Sequence, residues 1–420
     1  MNATPVRVDA DWLRQGALPA LLTLLDADGE EARVVGGAVR NTLLAEPVGD
    51  IDIATTATPD AVMARARAAG FKAVPTGLEH GTVTIVAGGE PHEVTTLRED
   101  VETDGRRAKV VFGRDWRRDA ERRDFTMNAL SLARDGTVFD YVGGLADLQS
   151  RRVRFIGEPE RRIAEDHLRI LRFFRFHAAY GEGAPDAQAL AACIAARGQL
   201  ETLSRERVRM EMFKLLLASR AAPALTVMAE AGLLQSVLGG VALLPSLRNM
   251  AEIETALALP PDAIRRLGAL ALFTVEDADR LRQRLRLANA EHERLAAMAD
   301  GWWRVSVETA EQDGRAMLYR LGRTHFVDRV CLAWSRAGLG AADPRWHELA
   351  RLPERWSPPE FPLKSADLVK RGVPKGPALG AALRAAEAVW IAADFPTAAA
   401  DIAAIADAAA RRATDRPRGS

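Results

Sequence analysis

Apolar and polar positions change rhythm twice within residues 34–60, VVGGAVRNTLLAEPVGDIDIATTATPD. Val34 and Val35 form a short apolar run that stops at Gly36 and Gly37, and from Ala38 the apolar residues return at helical spacing. The pattern predicts a strand, a tight glycine turn and a helix. Asp50-Ile51-Asp52-Ile53 then alternates with period two, so one strand would present both carboxylates from the same face. Further runs enriched in Thr, Val and Ile follow in GTVTIVAGG, PHEVTTLR and TVFDYVGG, punctuated by turn residues. After Arg151 that rhythm ends, and alanine-, leucine- and arginine-rich segments of helical period run almost to the last residue. ERRIAEDHLRILRFFRFHAAYG and LSRERVRMEMFKLLLAS predict two strong helices directly behind the first region. The expected fold class is α+β: a head over residues 1–150 with a small mixed sheet, then an all-helical remainder.

Composition changes this picture little. A chain of 420 residues predicts two to four domains, and its apolar share is ample for sizeable cores. The formal net charge of zero excludes polyanion binding through bulk charge, though not through a basic stripe balanced by acidity elsewhere. Lysine occurs only at Lys72, Lys109, Lys214, Lys364, Lys370 and Lys375, so positive charge is nearly all arginine; genomic base composition explains that bias more simply than RNA binding. Cys193 and Cys331 make no metal spacing or disulfide framework, which suits a reducing cytoplasm. GALPALLTLL lacks a basic leader and is too short to span a bilayer, and Glu230 and Gln235 interrupt the apolar stretch 221–244. A soluble, cytoplasmic protein is expected, with a frayed basic tail at 411–420.

The candidate chemistry begins at the glycine turn. Such a turn lets backbone N–H groups approach an anion, and Arg40 adds a guanidinium fork for phosphate oxygens. Asp50 and Asp52 repel each other unless a cation lies between them, which fits magnesium-assisted phosphoryl chemistry. A solvated strand end is the commoner setting of D-x-D, but the turn and Arg40 just upstream favour the metal. Glu93 is the candidate third carboxylate, with an exposed strand glutamate as the equal alternative. In ERRDFTMNALSL, Arg123 could hold a phosphate, Asp124 ribose hydroxyls, and Asn128 follows one turn on; taken alone, the stretch reads as a capped helix start. In EDHLRILRFFRF, Asp166 and Arg169 are three apart and hence on one helical face, with Arg172 and Arg175 continuing the row. An ordinary salt bridge is the plainer explanation of that spacing, while an arginine row beside a magnesium-phosphate site suggests a triphosphate cradle.

The ordered set GGAVRN…DIDIAT, PTGLEHGTVTIV, EVTTLRED, DGRRAKVVF, RRDFTMNAL, DYVGGLADL, AEDHLRILRFFRF and LSRERVRMEMFKLL resembles the bacterial class II tRNA nucleotidyltransferase/poly(A) polymerase family. The resemblance covers roughly residues 30–220 and is specific, because many short motifs recur in order. It implies a polymerase β-like nucleotidyltransferase head (1–150), a helical neck that reads the base (151–220), and a helical body and tail that bind tRNA (221–420). By position, Asp50 and Asp52 would ligate magnesium, and Gly36, Gly37 and Arg40 would hold the incoming nucleotide. Arg123 and Asp124 would contact its phosphate and ribose, Asp166 and Arg169 its base, and Asn128, Arg172 and Arg175 would complete the pocket. Residues 98–120 match a flexible loop linked to adenosine addition, and DYVGGLADL matches the head–neck hinge. One position departs: the family usually has aspartate where Asn41 stands, so the acceptor is kept and the charge is lost.

Poly(A) polymerases of this family carry a basic run after the D-x-D strand, whereas GFKAVPTGLEHGTVTIV is nearly free of positive charge. No His-Asp dipeptide occurs, so an appended metal-dependent phosphohydrolase domain is not expected. The expected activity is addition of CCA to tRNA 3′ ends from CTP and ATP. A poly(A) polymerase or adenosine-only enzyme is the alternative of the same class, and a non-catalytic RNA-binding protein that of another.

Overall fold

The computed structural model describes residues 6–104 and 107–414. The backbone gathers into two compact units that part at Gly239–Gly240. The first is built on strands β1 (Ala32–Val35), β2 (Asp52–Thr55), β3 (Lys72–Gly77), β4 (Thr82–Ala87), β5 (Glu90–Thr96), β8 (Ser131–Leu132) and β9 (Val138–Phe139), in the order β3-β4-β5-β2-β1-β8-β9. β2 and β5 run parallel and every other pair antiparallel, so the sheet is mixed as expected. Alternation builds it: Val83, Ile85 and Ala87 of β4 and His92, Val94 and Thr96 of β5 are buried, which turns Glu93 outward. Pro75 sits on edge strand β3, where a missing N–H is tolerated and the register shifts between Val74 and Gly77.

Helix α1 (Leu18–Leu25) packs against β1 and against the helix that leaves β2, α3 (Pro59–Ala68). Thr58 caps α3 by accepting from the Ala61 N–H, and Pro59 has its ring-fixed φ where a first helical turn can use it. The excursion expected over 98–120 is instead a two-stranded antiparallel ribbon of β6 (Arg98–Asp104) and β7 (Arg107–Phe112), followed by α4 (Trp116–Glu121). Its turn, residues 105–106, lies outside the described residues. Helix α2 (Gly37–Leu43) follows the glycine turn, and α5 (Gly144–Gln149) begins the helical part.

After α5 come α6 (Pro159–Glu165), α7 (Arg169–Tyr180), α8 (Ala187–Ala195), α9 (Arg205–Leu217), α10 (Ala221–Glu230) and α11 (Leu233–Leu238). The single helix expected over 160–181 is therefore two, interrupted at Asp166. Where sheet gives way to helix, the Asp140 carboxylate accepts from the N–H groups of Val142, Gly143, Gly144 and Leu145 at 2.9–3.1 Å. Gly144 is obligatory there, because a Cβ would lie 2.2 Å from the Thr126 carbonyl oxygen. A shared aromatic core ties the layers: Phe125 meets Phe155 at 4.8 Å and Phe176 of α7 at 5.1 Å between ring centroids.

The second unit is helical, starting with α12 (Leu244–Ala256), α13 (Ala263–Ala271), α14 (Val275–Leu285), α15 (Asn289–Ala299) and α16 (Glu311–Arg336), which Gly322 breaks with φ 72°. The last helix reaches Thr414, so the expected fraying at 411 does not begin there; residues 415–420 lie outside the described residues. No helix among the described residues is long and apolar enough to cross a membrane. Four of the second unit's helices meet over buried charges. Glu254 of α12 binds Arg265 and Arg266 of α13 at 2.9 and 2.8 Å, and Asp328 of α16 binds Arg265 at 3.0 Å and Arg294 of α15 at 2.8 Å. Without Asp328, Arg265 keeps Glu254 and Arg294 keeps Asp262, but the buried network is left with one positive charge in excess, which costs far more than losing a surface pair. Asp328→Ala is therefore expected to lower stability by about 3–5 kcal/mol, read as a shift of the urea unfolding midpoint. A shift below a fifth of that size would show the cluster to be well hydrated.

Candidate functional site

The residues singled out in the head and behind it meet at the end of β1. Gly36 follows Val35 with φ 71° and ψ −127°, a backbone conformation open to glycine, and Gly37 opens α2. Val35 lies opposite Asp52 in the antiparallel pairing of β1 and β2, so the turn and the first residue of β2 are neighbours. β5 runs parallel on the other side of β2, with Ile53 beside Val94, which brings Glu93 alongside Asp52. Asp52 is exposed at the strand end, yet the protein around it displaces enough water that this desolvation, the Glu93 carboxylate and then Asp50 push its pKa up, while Arg123 opposes them. Among the described residues, no three His, Cys, Asp or Glu side chains stand grouped as a ready-made metal cage. The donor set still suits a hard divalent cation. Its oxygens belong to carboxylates, and such a cation commonly takes one or two carboxylates, several waters and phosphate oxygens.

Beside this acidic edge opens a cleft of about 520 Å³. Gly36, Gly37, Arg40, Arg123, Asp124, Asn128, Asp166, Arg169 and Arg172 all line it, together with Leu168, Phe176 and Arg207. Arg175 is not among its walls; its Nε lies 2.6 Å from Glu211 Oε2, an ion pair not aligned as a hydrogen bond.

Each cleft side chain has a physical anchor. Arg40 donates to Asn128 Oδ1 at 2.6 Å, to the Tyr180 hydroxyl at 2.7 Å and to Asn41 Oδ1 at 2.9 Å. Burial lowers its pKa, as expected for a cation taken out of water. Arg123 is held by the buried Asp119 at 3.1 Å, and its backbone carbonyl accepts from Arg162 of α6. Asp124 accepts from Arg172 at 2.8 Å, from Asn128 at 3.2 Å and from the Phe125 N–H at 2.9 Å. Burial alone would raise the Asp124 pKa, but the Arg172 guanidinium and these donors outweigh it and hold the carboxyl below its ordinary range.

Asp166 and Arg169 share the cleft, but not for the reason the spacing suggests. Asp166 is extended (φ −155°, ψ 106°) at the break between α6 and α7, and Arg169 is the first residue of α7. The Arg169 N–H donates to the Asp166 carbonyl at 3.0 Å, but their side chains do not pair with each other. Asp166 accepts from the Leu168 N–H at 3.1 Å and from Arg207 of α9 at 2.6 Å, whereas Arg169 donates to Glu165 and to the Arg162 carbonyl, both at 2.6 Å. An ordinary i,i+3 salt bridge is thereby excluded in this structure. Sequence reasoning missed Asp119, Arg162, Glu165, Tyr180 and Arg207. The i,i+4 spacing of Asp119 and Arg123 was a usable signal; the contact between Arg40 and Tyr180 spans 140 residues and left none.

Similarity to known proteins accords with this arrangement. Residues 32–154 match the Poly A polymerase head domain, and residues 184–244 match the family described as "Probable RNA and SrmB- binding site of polymerase A". The chain is 34% identical over 379 residues to the mitochondrial CCA tRNA nucleotidyltransferase 1 of Danio rerio, covering 89% of this chain and 86% of that protein. It is 36% identical over 371 residues to the CCA-adding enzyme of Limosilactobacillus fermentum, covering 86% and 89%. Among solved structures, the Bacillus stearothermophilus CCA-adding enzyme in complex with CTP superposes with a TM-score of 0.75 at 28% identity, over 95% of this chain and 98% of that one.

The raised Asp52 pKa has a signed consequence for stability. Where the folded pKa exceeds the unfolded one, the folded state holds the proton longer, so stability falls as pH rises from the ordinary carboxylate value through the raised one. In metal-free buffer, Asp52→Asn should raise the melting temperature at pH 7 and leave it unchanged below about pH 3, where the native carboxyl is neutral in both states. A lower melting temperature at pH 7 would mean that the ionised carboxylate is already compensated.

Proposed function

Because this chain belongs to the CCA-adding tRNA nucleotidyltransferase family, we infer that it builds the CCA end of tRNA from CTP and ATP, without a nucleic-acid template and with release of pyrophosphate. The observation that carries the site reading is the convergence of nine chemistry-bearing residues of head and neck on one cleft beside Asp52. Asp50 and Asp52, with Glu93 nearby, would supply the oxygens for a divalent cation, magnesium in this reading. Such an ion neutralises triphosphate charge and favours attack by the tRNA 3′-hydroxyl on the α-phosphate. Gly36, Gly37, Arg40 and Arg123 would receive the triphosphate, and Asp124 and Asn128 would face the ribose. Arg172 acts by holding Asp124, and Arg175 acts behind the cleft through Glu211 rather than on the nucleotide.

Base choice needs only two side chains. Cytosine and adenine both offer an exocyclic amino donor beside a ring-nitrogen acceptor, while uracil and guanine offer a carbonyl beside an N–H. An ionised carboxylate accepts and a guanidinium donates, so Asp166 and Arg169 match the first pair and oppose the second. Each mismatched buried group costs on the order of 1–3 kcal/mol, roughly tenfold to hundredfold rejection.

The division into head (1–150), neck (151–220) and tRNA-binding body and tail (221–420) belongs to the same proposal, and the match of 184–244 to an RNA-binding family supports RNA contact in that stretch. Two buried free cysteines support a reducing compartment, the cytoplasm in this reading.

Incorporation of labelled CTP and ATP into tRNA transcripts lacking one, two or three terminal nucleotides tests the whole reading. Asp52→Ala should abolish transfer to all three while tRNA affinity stays nearly intact; near-normal incorporation would sink the metal assignment. Asp166→Ala should slow CTP and ATP use and admit UTP and GTP, and an unchanged preference in both Asp166→Ala and Arg169→Ala would remove the pair from base selection.

A further inference from the structure

Arg40 differs from every other arginine lining the cleft. Arg123 meets Asp119, Arg169 meets Glu165, Arg172 meets Asp124 and Arg207 meets Asp166, all at 3.1 Å or closer. Arg40 is buried, with 7% exposure, and among the described residues no carboxylate bonds it. Its donors end on neutral oxygens: the amides of Asn41 and Asn128 and the hydroxyl of Tyr180, whose ring also lies 3.9 Å from the guanidinium carbon. Glu46 and Asp124 act on it through space only, and both are engaged elsewhere, Glu46 with Arg151 at 3.6 Å and Asp124 with Arg172.

Asn41 is the residue that makes this possible. Its Oδ1 accepts from Nε and Nη2 of Arg40 at 3.1 and 2.9 Å, and its Nδ2 donates to the Pro47 carbonyl at 2.8 Å. The two contacts fix the orientation of the amide, since a flipped one would set donor against donor and oxygen against oxygen. One neutral side chain thus aims the guanidinium and ties it to the segment that leads into Asp50. Aspartate here, the residue usual in the resembling family, would keep the acceptor, bring a counter-charge to Arg40 and face the Pro47 carbonyl with no proton to give.

We propose that Asn41 is a positioning residue that aims Arg40 without neutralising it, so that the incoming triphosphate is the first counter-ion this buried cation meets. The inference rests on the reading of the cleft as the nucleotide site. It places the benefit in nucleotide affinity rather than in the chemical step, and equally for CTP and ATP, because both bring the same phosphates.

The test is calorimetric titration of the full chain with CTP in EDTA, alongside KM and kcat for CTP and ATP addition, with wild type, Asn41→Asp, Asn41→Ser and Arg40→Gln. Asn41→Asp is expected to weaken metal-free CTP binding about tenfold and to raise both KM values by a similar factor, with a smaller change in kcat. Asn41→Ser, neutral and still an acceptor, should stay within about threefold of wild type. If Asn41→Asp binds CTP as tightly as wild type, or Asn41→Ser loses as much as Asn41→Asp, the proposal is overturned and Asn41 is scaffold. Melting curves report whether Asn41→Asp folds; if it does not, Asn41→Ser decides alone by the same threefold bound. Full CTP binding by Arg40→Gln would overturn the assignment of Arg40 in the cleft itself, an outcome separate from either result at position 41.

Discussion

The Asp124 carboxylate accepts from Arg172 on one side and from Asn128 on the other, and Asn128 in turn accepts from Arg40, which reaches the Tyr180 hydroxyl. Arg172 and Tyr180 both belong to α7, so these contacts close a ring that leaves the helix, passes through the head and returns two turns later. Every member is at least half-buried, and in so dry a setting a missing partner costs more than a present one contributes. The ring explains why residues far apart in sequence share one cleft wall. It also explains why Arg172 is best understood through Asp124: this guanidinium of the cleft wall is the one that holds the Asp124 carboxyl below its ordinary range.

Beneath the ring lies an aromatic floor. Phe173 and Phe176 of α7 pack on Phe125 and Phe155, and Phe176 lies within 5.5 Å of the guanidinium carbons of Arg40, Arg172 and Arg175. The polar wall is thus carried on an apolar one. Cations stacked over ring faces keep part of their attraction without a carboxylate, which lets the site be rich in arginine without being fully neutralised.

Much of this was legible in the sequence where chemistry and geometry share a short stretch. The Gly36-Gly37 turn and the outward Glu93 agree with turn residues and period-two alternation, but the strand expected to carry both aspartates begins only at Asp52 and leaves Asp50 in the segment before it. Glu93 was the candidate third carboxylate on equal terms with an exposed strand glutamate. The sequence could not decide between them, because its nearness to Asp52 depends on the parallel pairing of β2 with β5, a non-local choice. Asp166 was misplaced on a continuous helix because no proline or glycine marks the break. The signal was subtler: an aspartate whose side chain takes the N–H two residues on offers the backbone an alternative to helix and starts α7 afresh. Ion-pair partners were the least legible feature, since the pairs of Asp166 and Asp124 lie 41 and 48 residues away. The ribbon built from 98–104 and 107–112 was obscured by charges of both signs, which read as loop.

The interruption between α6 and α7 sets Asp166 and Arg169, the two side chains proposed to face the base, on different kinds of backbone. Arg169 is embedded in a helix and travels only as that helix travels. Asp166 sits on extended backbone, and its carboxylate is held by the Leu168 N–H at the start of α7 and by Arg207 of α9. Cytosine and adenine differ in bulk by a fused ring, so a pocket serving both has to absorb that difference somewhere. If Asp166 and Arg169 read the base as proposed, the acceptor is held by Leu168 and Arg207 and the donor by Glu165 and the Arg162 carbonyl. Room for a purine as well as a pyrimidine would then have to come from the space beside the pair rather than from either side chain.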